Sequence, residues 1–155
     1  MNIGLSLNNI GDKTWWLNGK IHREDGPAIE YHDGTKEWYI NGLRHRGDGP
    51  AVELFNGTKE WYQNGNLHRL DGPAIESNNG AKIWHINGNI HRLDGPAIEY
   101  ADGSKHWYQY GLRHREDRPA LEWHNANKYY YLNDELIDCK DNEEFLRIVK
   151  MKAFL

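Results

Sequence analysis

The sequence predicts a mainly β protein, an elongated single-layer twisted antiparallel meander of 23-residue hairpin repeats with a short C-terminal capping helix. A tryptophan recurs every 23 residues, and each period carries two turn signals of the Asn-Gly or Asp-Gly kind. Between the turns, apolar and polar residues alternate as they do in half-buried strands. The tryptophan series is Trp15, Trp38, Trp61, Trp84 and Trp107, with Tyr130 at the next position.

Four further series keep the same spacing without an insertion. They are His22, His45, His68, His91 and His114; Asp25, Asp48, Asp71, Asp94 and Asp117; Pro27, Pro50, Pro73, Pro96 and Pro119; and Glu30, Glu53, Glu76, Glu99 and Glu122. One added residue would turn every later side chain to the other face of a sheet, so geometry imposes this strict length.

At 155 residues the chain is about one domain. The pattern predicts a single repeat domain over residues 1–140, with a degenerate half-copy at 1–14 and a partial copy near Tyr130. The alternating segment at 3–7 predicts a starter strand at one end of the sheet. The full copies begin near Trp15, Trp38, Trp61, Trp84 and Trp107.

Residues 50–65, which run from the second copy into the third, show how one unit is built. Residues 50–55 predict an outgoing strand, Asn56-Gly57 a two-residue turn and residues 58–63 the return strand, while Asn64-Gly65 predicts a second turn. In such turns both central residues need positive φ. Because side chains alternate along a strand, we expect the tryptophans to share one apolar spine with the branched aliphatic series and the tyrosines to line the other face. The aliphatic series is Ile29, Val52, Ile75, Ile98 and Leu121, and the tyrosines are Tyr39, Tyr62 and Tyr108.

The C-terminal part departs from the repeat. Tyr110, Arg118 and residues 125–127 replace repeat residues in the fifth copy, as is common where an array ends. Residues 141–155 predict a helix packed on the sheet, because Asp141 and Glu144 have capping-box spacing. Its apolar stripe is Phe145, Ile148, Val149 and Lys152. Alternatively, this stripe binds a partner.

Composition excludes several classes of function. The 19 basic and 23 acidic residues are interspersed and give a net charge of -4, which disfavours nucleic acid as a ligand. No run of 18 apolar residues and no signal-peptide pattern occurs, so we expect neither a membrane span nor secretion. Cys139 stands alone and excludes an internal disulfide. These features predict a cytoplasmic protein, in the host cytoplasm if a virus encodes it.

The string Trp-Tyr-x-Asn-Gly-x-x-His-Arg-x-Asp-Gly-Pro-Ala resembles MORN-type β-hairpin repeats, in particular the variant found in bacteria, phages and large DNA viruses. The resemblance covers roughly residues 10–134. It implies the repeat fold and an interaction or scaffolding role, and inhibition of another intracellular protein is compatible with the family. Lipid binding has been proposed for some members. Here His-Arg-x-Asp-Gly-Pro replaces the more usual His-Gly-x-Gly, which makes the connecting edge more polar.

The His-Arg-x-Asp stretch predicts structure rather than catalysis. We expect Asp25 to accept hydrogen bonds from turn amides, Arg23 to pair with Glu30 and the histidine to pack between them, with the same in each copy. Catalysis normally needs one asymmetric constellation, so we predict no enzyme, no catalytic residue and no cofactor. Adjacent copies lie too far apart to share a metal ion, so no metal site is predicted. The four histidines outside the series, His32, His85, His106 and His124, are expected at solvated sheet positions.

We therefore expect a non-catalytic protein–protein interaction module, such as a phage or bacterial inhibitor or adaptor. The alternative is a small-ligand or lipid-headgroup binder that uses the His-Arg-x-Asp edge, or, less favoured, a hydrolase. An open sheet edge or the C-terminal helix could also pair two copies into a homodimer. Aromatic residues and arginine are enriched at interface hot spots. The candidate binding residues are Arg44, His45, Phe55, His68, Arg69, His85, His91, Arg92, Tyr110, His114, Arg118 and Trp123.

Overall fold

The computed structural model describes residues 3–154, which form 22 strands in open antiparallel sheets and one helix. The predicted fold class is confirmed. Met1, Asn2 and Leu155, which the predicted half-copy and helix include, lie outside the described residues. In chain order, β1 to β22 are Ile3–Leu7, Lys13–Leu17, Lys20–Ile21, Ile29–Glu30, Lys36–Glu37, Tyr39–Ile40, Leu43–Arg44, Val52–Glu53, Lys59–Glu60, Tyr62–Gln63, Asn66–Leu67, Ile75–Glu76, Lys82–Ile83, His85–Ile86, Asn89–Ile90, Ile98–Glu99, Lys105–His106, Tyr108–Gln109, Leu112–Arg113, Leu121–Glu122, Lys128–Leu132 and Glu135–Ile137, and α1 is Asn142–Lys152.

Each copy contributes to two rows of hairpins. The first row forms a 14-stranded sheet, in which the two strands on either side of the first turn pair with each other and with the neighbouring copies. The second row consists of two-stranded hairpins around the second turn, such as β10 and β11. In the third copy the chain passes between the rows at Trp61, which lies between β9 and β10. Hairpins of successive copies also meet, since the Gly65 N–H donates to the Arg44 carbonyl at 2.9 Å.

The two turns of a copy differ. Asn64 and Gly65 both have positive φ, 50° and 82°, as predicted for a two-residue turn. In the first turn the Gly57 N–H donates to the Leu54 carbonyl and the Leu54 N–H to the Thr58 carbonyl, each at 2.9 Å. Of the residues in this turn only Gly57 has positive φ. The first turn is therefore a three-residue loop, and the predicted two-residue turn is wrong.

This one extra loop residue changes which side chains share a face. Val52 lies opposite Glu60 rather than opposite Trp61, and Ile75 lies opposite Glu60 and Ile83. The branched aliphatics therefore share a face with the tyrosines, while the tryptophans lie on the face of the lysines. The predicted common spine of tryptophans and aliphatics is wrong, because a shift of one residue reverses every side chain of a strand.

A row of alternating charge runs along the tryptophan face of the main sheet. Each lysine of this row lies opposite a glutamate on the neighbouring strands, and opposite charges placed this way contribute roughly 0.2–1 kcal/mol per pair. The row therefore favours the observed register of the strands that it joins, from β2 to β21 in the main sheet. It consists of Lys13, Glu30, Lys36, Glu53, Lys59, Glu76, Lys82, Glu99, Lys105, Glu122 and Lys128.

The core is thin and repeats with the copies. The alanine after each repeat proline has no accessible surface, and in the third copy the Trp61 N–H donates to the Ala74 carbonyl at 2.8 Å. A small side chain here allows the chain to lie close against the neighbouring strands. The buried series is Ala28, Ala51, Ala74, Ala97 and Ala120.

The helix covers the C-terminal end of the sheet, as predicted. Phe145 is fully buried against Leu132 and Ile137 and lies 4.7 Å from the Tyr130 ring. The Asp141 side chain accepts a hydrogen bond from the Glu144 N–H at 2.9 Å and caps the helix. Phe145, Ile148 and Val149 of the predicted stripe pack on the sheet, which favours the capping role over partner binding.

Ala126 occupies a left-handed position, with φ of 69°, where the corresponding residue of the fourth copy is Gly103 with φ of 90°. We predict that Ala126→Gly raises the free energy of unfolding by about 0.5–1 kcal/mol, because it removes strain but increases the entropy of the unfolded chain. Urea denaturation measures the change. In the reciprocal control, Gly103→Ala, the added Cβ has no atom within 4 Å, so the loss of stability should come from the positive φ alone. Equal stability of the wild type and both variants would contradict the prediction.

Candidate functional site

The arginine of each His-Arg-x-Asp stretch stacks on the tryptophan of its own copy. In the third copy the Arg69 guanidinium lies 4.0 Å from the Trp61 ring centroid, within the range of a cation–π contact. Its Nε donates to Asp71 at 2.9 Å, and one terminal nitrogen donates to Glu76 at 2.9 Å and to the Pro73 carbonyl at 3.2 Å. The same stack recurs in the pairs Arg23 and Trp15, Arg46 and Trp38, Arg92 and Trp84, and Arg115 and Trp107.

The glycine before each proline makes room for this guanidinium. A Cβ at Gly72 would lie 2.9 Å from the Arg69 Cζ, closer than carbon atoms normally approach. Arg118 replaces this glycine in the fifth copy, where Arg115 still lies 3.9 Å from the Trp107 ring. The predicted pairing of arginine with the later glutamate is confirmed, but the principal partner of the aspartate is the arginine rather than the turn amides.

The stack covers the positive charge and leaves the negative charge exposed. The Arg69 side chain is 21% exposed, whereas that of Asp71 is 84% exposed. The hydrogen bond from Arg69 and its positive charge lower the pKa of the Asp71 carboxyl, which is therefore ionised at neutral pH. Seen from outside, this edge presents a row of carboxylates, one per copy.

Each histidine of the series binds the backbone of the next copy. The His68 Nδ1 lies 3.1 Å from the Asn87 N–H, which donates to it at the start of the next copy's second turn. Acceptance at Nδ1 requires the ring proton to be on Nε2. The Asn87 Oδ1 lies 2.9 Å from the same ring nitrogen. The predicted packing of the histidine between the arginine and the glutamate is wrong, because Arg69 and Glu76 bind each other directly. The other contacts join His22 to Asn41, His45 to Asn64, His91 to Tyr110 and His114 to Asn133.

The first turn has a corresponding contact that the sequence prediction did not include. The Thr35 hydroxyl accepts a hydrogen bond from the Phe55 N–H at 3.1 Å, and Thr58 and Ser104 accept from the corresponding amides of later copies. Asp12 accepts from the His32 N–H at 2.8 Å in the first junction. The signal was the recurrence of a small hydroxyl residue at positions 35, 58 and 104.

The opposite face of the sheet differs from copy to copy. Near its N-terminal end, the buried Glu37 accepts hydrogen bonds from Arg44 at 3.1 Å and from the Tyr39 hydroxyl at 2.8 Å. Near its C-terminal end, His106 lies between the rings of Tyr100 and Trp123, at centroid distances of 5.0 and 4.6 Å. The tyrosine–glutamate bond recurs once, from the Tyr62 hydroxyl to Glu60 at 3.0 Å, whereas the cluster around His106 has no second copy in the described part of the chain.

The four histidines outside the series fall into two pairs. His85 and His106 are 8% and 5% exposed, so their prediction as solvated positions is wrong. Burial lowers the pKa of both rings. His32 and His124 are more than half exposed and face Asp12 and Asp102, at 2.9 and 3.1 Å.

The candidate binding residues do not form one site. The series members, His45, His68, Arg69, His91, Arg92 and His114, are engaged in the contacts between and within copies. Arg44 and His85 lie on the opposite face, where Arg44 pairs with the buried Glu37 and His85 is itself buried. The exposed candidates are spread along the array. They are Phe55 at 70%, Tyr110 at 73%, Trp123 at 39% and the Arg118 side chain at 68%.

Shallow grooves lie between successive His-Arg-x-Asp stretches. One wall of each groove is the stretch of one copy, the other wall is that of the next copy, and a tryptophan forms the floor. Two residues that the candidate set omits, Leu70 and Leu93, lie on these walls and are 80% and 72% exposed. The sequence could have indicated them, because each is an apolar residue at the variable position of the otherwise charged His-Arg-x-Asp stretch.

Other types of site find little support in the described residues. From Ile3 to Phe154, no group of three or more His, Cys, Asp or Glu side chains could hold a metal ion. Burial raises the pKa of the Cys139 thiol, which disfavours the reactive thiolate. In the same range no helix has the length and apolar character to cross a membrane. No protein-family model matches the chain, and no curated protein is found to match it.

We predict that Arg69→Lys lowers the free energy of unfolding by about 1–3 kcal/mol, because an ammonium group cannot stack on Trp61 and bind Asp71, Pro73 and Glu76 together. Urea denaturation followed by tryptophan fluorescence measures the loss. The matched control is Arg118→Lys, whose nearest acidic group is 3.9 Å away. A control that loses as much stability as Arg69→Lys would contradict the structural role of the stack.

We predict that stability falls as the pH decreases below about 6.5, the ordinary pKa of histidine. Since burial lowers the pKa of His85 and His106 in the folded chain, the unfolded chain takes up these protons first. Above that pH both states are neutral at these rings and the contribution is constant. His85→Tyr introduces the residue that the neighbouring copies have at this position. It should make the urea midpoint depend less steeply on pH between pH 5 and 6.5. An unchanged dependence on pH would count against burial of this histidine as the cause.

Proposed function

We propose that the chain is a non-catalytic protein–protein interaction module of the MORN type. The observation that carries the proposal is the separation of recurring from variable residues. Recurring side chains such as Arg69 and His68 have their polar atoms engaged within the array. Variable residues such as Phe55, Leu70 and Tyr110 are exposed. A scaffold of constant contacts that presents changing side chains suits recognition of another protein.

The finer proposal is an inhibitor or adaptor that acts on an intracellular protein, in the cytoplasm of a bacterium or of a phage-infected host. Its support is the family resemblance together with the single cysteine and the moderate negative charge. A small-anion or lipid-headgroup binder would use the five arginines of the His-Arg-x-Asp edge. Those arginines already pair with Asp and Glu of their own copy, so this alternative has no supporting contact.

The test is capture of a partner by the immobilised full chain from a bacterial lysate at physiological salt, with identification by mass spectrometry. We expect one stoichiometric protein, and weaker capture by Tyr110→Asn, which introduces the residue that other copies have in this turn. Lys105→Gln, an exposed position that recurs, is the control. A folded chain that retains no protein, or a turnover that disappears with His68→Gln, would refute the proposal.

A further inference from the structure

The variable position of the His-Arg-x-Asp stretch is apolar only in the two central copies. Leu70 and Leu93 occupy it there, whereas Glu24, Gly47 and Glu116 occupy it elsewhere. Single exposed leucines are common on protein surfaces and need no explanation. These two, however, form the opposite walls of one groove.

The central groove is lined by more apolar side chains than the grooves on either side. Its volume is 590 Å³, and Trp84 and Ile86 line it between the two leucines. The grooves on either side have only one leucine wall each, and Gln63 or Gln109 lies where the central groove has Ile86. Two leucines and an isoleucine therefore line one groove, a combination that the grooves on either side lack.

The rim of the central groove carries exposed negative charge. The Asp71 and Asp94 side chains are both 84% exposed, while Arg69 and Arg92, which pair with them, are 21% and 23% exposed. Each guanidinium is stacked on a tryptophan, so the carboxylates are the charges that an incoming molecule meets first. A partner that places cations on this rim gains Coulomb attraction on both sides of an apolar slot.

We infer that the central groove binds an extended protein segment in which an apolar side chain is flanked by lysine or arginine residues. The apolar side chain enters between Leu70 and Leu93, and the basic side chains meet Asp71 and Asp94. Neighbouring copies are about 10 Å apart, which is two strand spacings. In an extended peptide, the two residues that flank the apolar residue are about 7 Å apart. Long basic side chains bridge this difference of about 3 Å. The inference rests on the proposed function and names the surface and the partner's chemistry.

The first test is a titration of the isotope-labelled full chain with a synthetic peptide centred on Lys-Leu-Lys, followed by NMR. Saturating shifts are expected at the Leu70 and Leu93 methyl groups and the Trp84 indole. Peptides centred on Glu-Leu-Glu and Lys-Ser-Lys are the controls for charge and for the apolar side chain. Absence of shifts at millimolar peptide, equal shifts with either control, or shifts spread evenly over all copies would overturn the inference.

The second test uses variants that the repeat itself makes conservative. Leu70→Glu with Leu93→Glu introduces the residue of the first and fifth copies, so the fold should persist while peptide affinity falls at least about tenfold. Glu24→Leu with Gly47→Leu places leucines around Trp38 and Ile40 and should create a second peptide site. Unchanged affinity in the first variant contradicts the groove as the site.

Lysate capture distinguishes this inference from the proposed function. If the wild type and Leu70→Glu/Leu93→Glu retain the same protein equally, the groove is excluded and the module function stands. If only the wild type retains it, the groove is the docking site. If the wild type retains no protein, the proposed function fails, and the inference that rests on it fails as well.

Discussion

The array depends on hydrogen bonds by which each copy satisfies backbone amides of the next. The histidine Nδ1 accepts from the second turn of the following copy, and a hydroxyl or carboxylate accepts from the first turn in four junctions. Amides in tight turns that lie against protein need such partners. An inserted residue would move both acceptors away from the amides of the next copy. This explains why the period of 23 residues is kept without exception from His22 to His114.

Within a copy, the string His-Arg-x-Asp-Gly-Pro-Ala is almost wholly explained by contacts. The histidine binds the next turn, the arginine stacks on tryptophan, the aspartate holds the guanidinium, the glycine leaves room for it, the proline carbonyl accepts from it, and the alanine is buried. The residue written x has no such constraint in the third and fourth copies, whereas Glu24 and Glu116 lie 3.5 Å from the histidines of their own copies. Selection for a function can act there without loss of the fold, and that is where Leu70 and Leu93 lie.

The sequence was sufficient for the strands, the second turn, the pairing of Arg69 with Glu76 and the helix cap at Asp141, because each follows from local pattern or fixed spacing. It was insufficient for the faces of the sheet. Loop length decides which residues lie opposite one another, and Asn56-Gly57 suits either a two-residue turn or the end of a three-residue loop. The contacts of His68 were missed because its partner is a backbone amide of another copy, which no side-chain pattern reveals.

Ala81 gives the array an internal boundary. It occupies the position of Thr35, Thr58 and Ser104 but has no hydroxyl, so the junction between the third and fourth copies has the histidine contact without its counterpart at the first turn. In a structure held together by contacts between neighbours, a junction that lacks one contact is where cooperativity is expected to be weakest, although β13 and β16 still pair across it. Under mechanical force or near the melting temperature, the array would separate first at this junction between the third and fourth copies, which lies near the middle of the chain and beside Leu70 and Leu93.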